Sequence, residues 1–361
     1  MLHDDLIIEI ILNFLMKSIA IIGHFAFGHQ CYDGQTIKTH NVYGVLKESI
    51  GGNSILTIDT FGRIKFLLKL PFLVIFALYS SKNIIILPAQ RGIKIISPLL
   101  LFFNIFFKRK IHYVVIGGWL PKMVKHSKFI KYFVRSFDVI YVETNKMKEE
   151  LHTLFINNVL VMPNFKKIPI RKFDDIQCQK FCEPYSLCTF SRVSQEKGIE
   201  VAINAVKFAN KRLGRTVFIL DIYGQIEKKE SWFEPLMSQQ PDYIRYRGII
   251  ESTKSVDILS HYFMLLFPTY YDGEGFAGTL VDAMSAGLPI IATDWHNNGE
   301  IIVHGKNGFL VPIKDYESIA SILLDVILDV EGLLYIRKNC IKDAMRYLPQ
   351  NVIKILIKQL D

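Results

Sequence analysis

The 361-residue sequence predicts an α/β protein built from two doubly wound units, and three observations predict it. Short β-branched apolar runs alternate with longer mixed segments, the pattern of parallel strands joined by helices. The alternation breaks once, between 165 and 184, where Lys166, Lys167, Pro169, Arg171, Asp174, Asp175 and Pro184 make an irregular link. The length suits two cores better than one, and half of the residues are apolar, so burial is ample.

In the first series, runs at 18–23, 55–59, 84–87, 111–116, 139–142 and 159–162 read as strands, with a helix from about 35 to 48. This sets a domain at 18–164, preceded by an extension at 1–17 that suits an amphipathic helix. The second series reads as strands at 186–191, 216–223, 244–246, 263–268, 288–293 and 309–311, with helices at 198–213, about 253–260 and beyond 316. The second domain is therefore 185–361, with C-terminal helices able to cross back to the first. Two such domains are expected to face a cleft, with ligands at the carboxyl ends of the strands.

The net charge of +9 matters less than its placement. From Phe61 to Phe137 there is no Asp or Glu, against fourteen Lys and Arg. Such a face attracts phosphate, of nucleic acid or of anionic lipid. No nucleic-acid motif accompanies the charge, so nucleic acid is not expected. The same stretch holds apolar runs at 66–76 and 99–103, shorter than the ~20 residues that span a bilayer. Apolar bulk beside cations suits an anionic membrane surface; buried helices with solvated lysines are the plainer alternative. Asp4, Asp5 and Glu9 stand where a signal peptide carries basic residues, so the expected location is cytoplasmic, including a peripheral position on the inner face of the cell membrane. Cys178, Cys182 and Cys188 match no zinc spacing and read as free thiols.

Chemistry concentrates in Tyr271-Asp272-Gly273-Glu274-Gly275-Phe276-Ala277-Gly278-Thr279-Leu280-Val281-Asp282, which follows an apolar strand and opens a short helix closed by Gly287 and Pro289. Amides at Gly278, Thr279 and Leu280 would be unpaired there, and the helix dipole favours an anion. Glu274 and Asp282, with seven residues between them, can accept bonds from the hydroxyls of a sugar and a ribose. Together these point to a nucleoside diphosphate sugar. The alternative is a solvated loop acid and a helix-dipole partner.

Arg192 and Lys197 fall on the loop between the first strand and helix of the second domain, where two cations can hold a diphosphate and stabilise its leaving charge. Gly34, at the start of the first helix, would allow close backbone approach to a phosphate or acceptor. The surrounding residues form no G-x-G-x-x-G fingerprint, which argues against a dinucleotide enzyme. The chain has no D-x-D pair of the sort that holds a diphosphate through a divalent metal, so metal-independent binding is expected.

At these residues the chain resembles the family four retaining glycosyltransferases of the GT-B fold, over most of 18–330 and most strongly from Tyr185 to Pro312. Ser191-Arg192 with Lys197-Gly198, Tyr246-Arg247-Gly248, Glu274-Gly275-Phe276, Asp282-Ala283-Met284, Gly287-Leu288-Pro289, Gly299-Glu300-Ile301-Ile302 and Gly308-Phe309-Leu310 follow the family pattern in order. Ala292-Thr293-Asp294-Trp295 with Asn298, and Gly34-Gln35-Thr36 with Lys38-Thr39, look like the bacterial polysaccharide members. The resemblance implies that Arg192 and Lys197 hold the donor diphosphate, that Glu274 sits at the donor sugar, and that the Thr279 and Leu280 amides meet the phosphates. It places the second acid, Asp282, at the ribose, and carries Gly248 and Glu300 into the donor site. Glu is the commoner choice at Asp282. Many relatives carry a first-domain His where this chain has Ile116-Gly117-Gly118-Trp119, and neither His24 nor His112 fits that motif, so no catalytic histidine is carried over.

The expected function is retaining, metal-independent transfer of a hexose or N-acetylhexosamine from a UDP-linked donor. The acceptor would be a polyprenyl-diphosphate-linked glycan of surface polysaccharide synthesis. A membrane-bound sugar-nucleotide-binding scaffold without catalysis and an exported two-domain sugar-binding protein are the alternatives.

Overall fold

The computed structural model describes residues 17–29, 33–227 and 230–360, so the expected N-terminal extension lies outside it except for Lys17, which opens the first strand. The chain divides into two compact units, 1–165 with 349–361, and 166–348.

The first unit holds β1 (Lys17–Gly23), β2 (Ile55–Asp59), β3 (Ser81–Leu87), β4 (Lys110–Val114), β5 (Val139–Val142) and β6 (Val159–Val161), all parallel, in the order β2-β1-β3-β4-β5-β6. β3 is central, and Ile84, Ile85, Ile86 and Leu87 are wholly buried, as a strand covered by helices on both faces requires. The Gly34–Ile50 helix covers one face, and the last helix, Pro349–Ile357, packs with it: Val352, Ile353 and Leu356 share a core with Val42 and Leu46. On the other face Leu70, Val74 and Leu78 of the Arg63–Ser80 helix meet Ile96 and Leu100 of the Ile93–Phe107 helix.

The second unit holds β7 (Tyr185–Phe190), β8 (Phe218–Tyr223), β9 (Ile244–Gly248), β10 (Met264–Phe267), β11 (Ile290–Thr293) and β12 (Gly308–Val311), parallel, in the order β12-β11-β10-β7-β8-β9. The chain winds outward from β7 to β9, then returns to lay β10 on the other side of β7. The strand order therefore reverses between β7 and β10, and it is beyond the carboxyl ends of strands at such a reversal that sheets of this kind place ligands.

The 165–184 segment differs from the irregular link expected of it. It carries a helix, Phe173–Cys178, whose Ile176 is buried, and Arg337 donates to Ile176 O at 3.1 Å while the Arg171 amide donates to Ser285 O at 2.9 Å. These bonds make 166–184 part of the second unit.

His112 on β4 is buried in a closed network. Asn83 Nδ2 donates to Leu360 O at 2.8 Å, which leaves Asn83 Oδ1 to accept from His112 Nε2 at 3.1 Å; His112 Nδ1 then accepts from the Tyr141 hydroxyl at 3.0 Å. Burial pushes the imidazole down to about 4 from its ordinary 6.5. The unfolded chain therefore takes a proton as pH falls below 6.5 while the fold refuses it until about 4. Across that window this histidine should remove about 2–3 kcal/mol of stability. Urea unfolding of the parent and of His112→Gln should show their stability gap narrowing between pH 7 and pH 4.5; a gap that stays constant would contradict the network.

Candidate functional site

The β7–β10 switch point brings together Arg192, Lys197, Glu274 and the start of the Gly278–Ser285 helix. Gly198 follows the β7 loop at φ +71°, and a Cβ there would lie 2.1 Å from Pro268 O, so only glycine lets this loop abut the end of β10. That approach delivers Lys197 to Glu274. The two form an ion pair with side chains 8% and 10% exposed, and Thr269 Oγ1 donates to the same carboxylate at 3.0 Å.

Arg192 and Lys197 meet at one ring. The ammonium lies 5.0 Å from the centroid of Tyr271 and the guanidinium 5.8 Å from it. Arg192 is more than half exposed and pairs with part-exposed Glu227, a weak contact in water. The two cations on this loop thus face one ring, each with its own carboxylate partner.

The Gly278–Ser285 helix starts at the same edge. Thr279 Oγ1 donates to Phe190 O at 2.9 Å and ties the helix start to the end of β7. Gly278 and Thr279 amides have no backbone partner among the described residues, whereas Leu280 corrects the expectation: its amide donates to Ala277 O at 3.0 Å. The first helical turn tightens there, so the open donors lie one residue earlier than the sequence suggests.

Asp282 faces the interior. It is 1% exposed, and one oxygen pairs with Lys166 Nζ at 2.6 Å. Burial pushes its carboxyl up, opposed by the Lys166 charge and by hydrogen bonds from Lys166 and Ser255. Its Oδ1 is buried without a hydrogen-bond partner. Glu300 is exposed on the Asn298–Ile301 turn, and its charge reaches Tyr347, whose ring packs 4.9 Å from Phe276 beside Glu274. Gly248 ends β9 at φ +80°, accepting from the Gly224 amide at 2.8 Å, two strands away from β7.

Gly34 lies in the first unit, in a different setting from the one expected. Asp33 caps its helix and accepts from the Gln35 and Thr36 amides at 2.9 and 3.1 Å, so the helix N-terminus already holds a carboxylate. Asp59, at the end of β2, is raised by partial burial but accepts from the Phe61 amide and from those of Phe27, Ala26 and Phe25 after β1, and these bonds together hold its carboxyl below the usual range. Lys38 of the same helix pairs with buried Glu143 and donates to Val115 O at 2.9 Å.

Sequence reasoning gave no role to Thr269, Tyr271 or Lys166 and missed the brace around the 271–275 loop. Trp295 Nε1 donates to Tyr271 O at 3.0 Å, and Thr293 Oγ1 donates to Thr269 O. A threonine and a tyrosine immediately before an acidic glycine loop are a findable signal; a lysine 116 residues from its carboxylate is not.

Among the described residues no group of three or more His, Cys, Asp or Glu is placed to hold a metal ion, and no helix is long and apolar enough to cross a membrane. Lys166→Met, which strips a buried carboxylate of its cation, should cost about 3 kcal/mol in urea unfolding. The loss should grow from pH 4 to pH 7, because the burial-raised Asp282 carboxyl must then ionise unpaired. An unchanged midpoint at both pH values would show that the pair does not matter.

Residues 184–329 match the family described as Glycosyl transferases group 1. The GtfA subunit of a UDP-N-acetylglucosamine–peptide N-acetylglucosaminyltransferase from Streptococcus pneumoniae serotype 4 is 33% identical over 178 residues, 48% of this chain and 34% of that relative. The amylovoran biosynthesis glycosyltransferase AmsK of Erwinia amylovora is 27% identical over 146 residues, 39% of this chain and 36% of the relative. The matches thus span about a third of these curated relatives' length. Among solved structures, Anabaena HepE in complex with UDP superposes with a TM-score of 0.72 at 14% identity, covering 96% of this chain and 99% of that one. Sucrose-phosphate synthase of Thermosynechococcus elongatus gives 0.72 at 17% identity, covering 95% and 97%. The chain has the GT-B fold, and its residues 184–329, which hold most of the site, carry the pattern of the Glycosyl transferases group 1.

Proposed function

We propose that the chain is a family four retaining glycosyltransferase. It moves a hexose or N-acetylhexosamine from a UDP-linked donor to a polyprenyl-diphosphate-linked glycan in capsule, O-antigen or exopolysaccharide synthesis. It works in the cytoplasm, peripheral to the inner face of the cell membrane. The observation that carries the reading is the meeting of Arg192, Lys197, Glu274 and the open Gly278 and Thr279 amides at the β7–β10 switch point. The names of the relatives support the donor and the setting: one uses UDP-N-acetylglucosamine, one serves amylovoran synthesis, and one structural neighbour holds UDP.

In this reading the diphosphate lies over the Tyr271 ring between the two cations, with the helix amides at its oxygens. As the anomeric carbon–oxygen bond breaks, the departing charge meets fixed donors that need no reorganisation. Glu274, fixed by Thr269, accepts from sugar hydroxyls and orients the ring without acting as nucleophile, and the acceptor enters on the face that the diphosphate leaves. Asp282 takes a ribose hydroxyl on its unpartnered oxygen. Gly248 and Glu300 complete the donor pocket, and Gly34 serves the acceptor side.

Arg192→Ala, at an exposed position that the fold tolerates, should lower kcat/KM for UDP-sugars by about 10²–10³-fold. Arg192→Ala/Lys197→Ala should abolish transfer, at about 3 kcal/mol of stability because buried Glu274 loses its cation, with the circular dichroism spectrum still that of a folded chain. UDP at about one hundred times its Kd should stabilise the parent by about 2.7 kcal/mol in a thermal shift and leave the double variant unmoved. Full transfer by the double variant would refute the assignment.

A further inference from the structure

Helices that cover a parallel sheet normally turn charged residues outward. The first unit breaks that rule on one face. Along the Arg63–Ser80 helix, Leu68, Phe72, Phe76 and Tyr79 recur every three or four residues and are each 53–76% exposed. On the Ile93–Phe107 helix that packs against it, Phe102, Ile105 and Phe106 are 59–74% exposed. That helix touches in turn the Lys128–Arg135 helix, which adds Phe129 and Tyr132. Nine large apolar side chains on three adjoining helices form a patch that calls for a cover.

The charge says what the cover is. Lys128, Lys131, Tyr132, Arg135 and Ser136 line a concavity of about 410 Å³ at the edge of the patch, and no acidic residue occurs anywhere from 61 to 137. Lysine is depleted where protein meets protein, whereas a surface of Phe and Leu interleaved with Lys and Arg fits the interface of an anionic bilayer. We propose that this three-helix face docks the first unit on an anionic phospholipid membrane. Phe72, Phe76 and Phe106 enter the acyl boundary, while Lys128, Lys131 and Arg135 hold lipid phosphates. The proposal deepens the function above by naming the surface that reaches a lipid-linked acceptor, and its test needs neither donor nor acceptor.

Full-length chain is sedimented with vesicles of phosphatidylglycerol mixed equally with phosphatidylcholine, and with phosphatidylcholine alone. Binding to the acidic vesicles should be strong at low salt and fall steeply at high salt. Lys128→Ala/Lys131→Ala/Arg135→Ala should weaken it by on the order of 100-fold. Phe72→Ser/Phe76→Ser/Phe106→Ser should weaken it by at least about 100-fold. Both triples alter solvent-facing side chains and should melt like the parent. As a milder probe, Phe76→Trp should shift its emission to the blue on acidic vesicles and be quenched by brominated acyl chains. No partition onto acidic vesicles, no change in either triple, or an unshifted tryptophan would overturn the proposal. So would a dimer in light scattering that the phenylalanine triple dissociates without any vesicle binding. Donor turnover in solution should be unchanged by both triples; full transfer by Arg192→Ala/Lys197→Ala with vesicle binding intact would sink the enzyme and leave the surface standing.

Discussion

A buried ammonium paired with a buried carboxylate sets the terms for the second unit. Removing Lys197 and Glu274 from water costs several kcal/mol per ion. Their attraction, the Thr269 hydroxyl and the ring faces of Phe267 and Tyr271 around the ammonium offset that cost. The two residues are 77 positions apart, and they meet only because β10 returns to lie beside β7. A plain meander of strands would leave each charge alone.

The neighbouring sequence blocks hold that pair in place. Gly198 permits the close approach of the β7 loop to Pro268, and Thr293 with Trp295 fastens the 269–271 backbone from the next strand. Arg192 behaves differently because it stays in water. Its part-exposed contact with Glu227 costs little to break, whereas the Lys197 pair is buried.

The first unit shows the same geometry already satisfied by its own side chains. Its helix N-terminus is capped by Asp33, the loop after β1 wraps its amides around Asp59, and Lys38 is consumed by Glu143 and Val115 O. A strand-to-helix turn with a glycine in sequence is therefore not equivalent to an open anion site. What distinguishes them is whether a nearby carboxylate reaches the amides first. The outward face of this unit carries the opposite message, since nothing among the described residues covers its phenylalanines.

Strand positions, the two-unit division and the segment around 274 were legible in the sequence. Each rests on local chemistry: β-branched runs, glycine at turns, and a carboxylate before a helix. The sequence likewise showed a 77-residue stretch without acids, because charge is a property of composition. It could not show that Asp282 turns inward to Lys166 or that Leu280 spends its amide on Ala277. Those outcomes belong to tertiary structure alone. Each depends on which distant group arrives within hydrogen-bond reach, and a parallel sheet with crossovers brings together residues whose spacing along the chain carries no trace of the meeting.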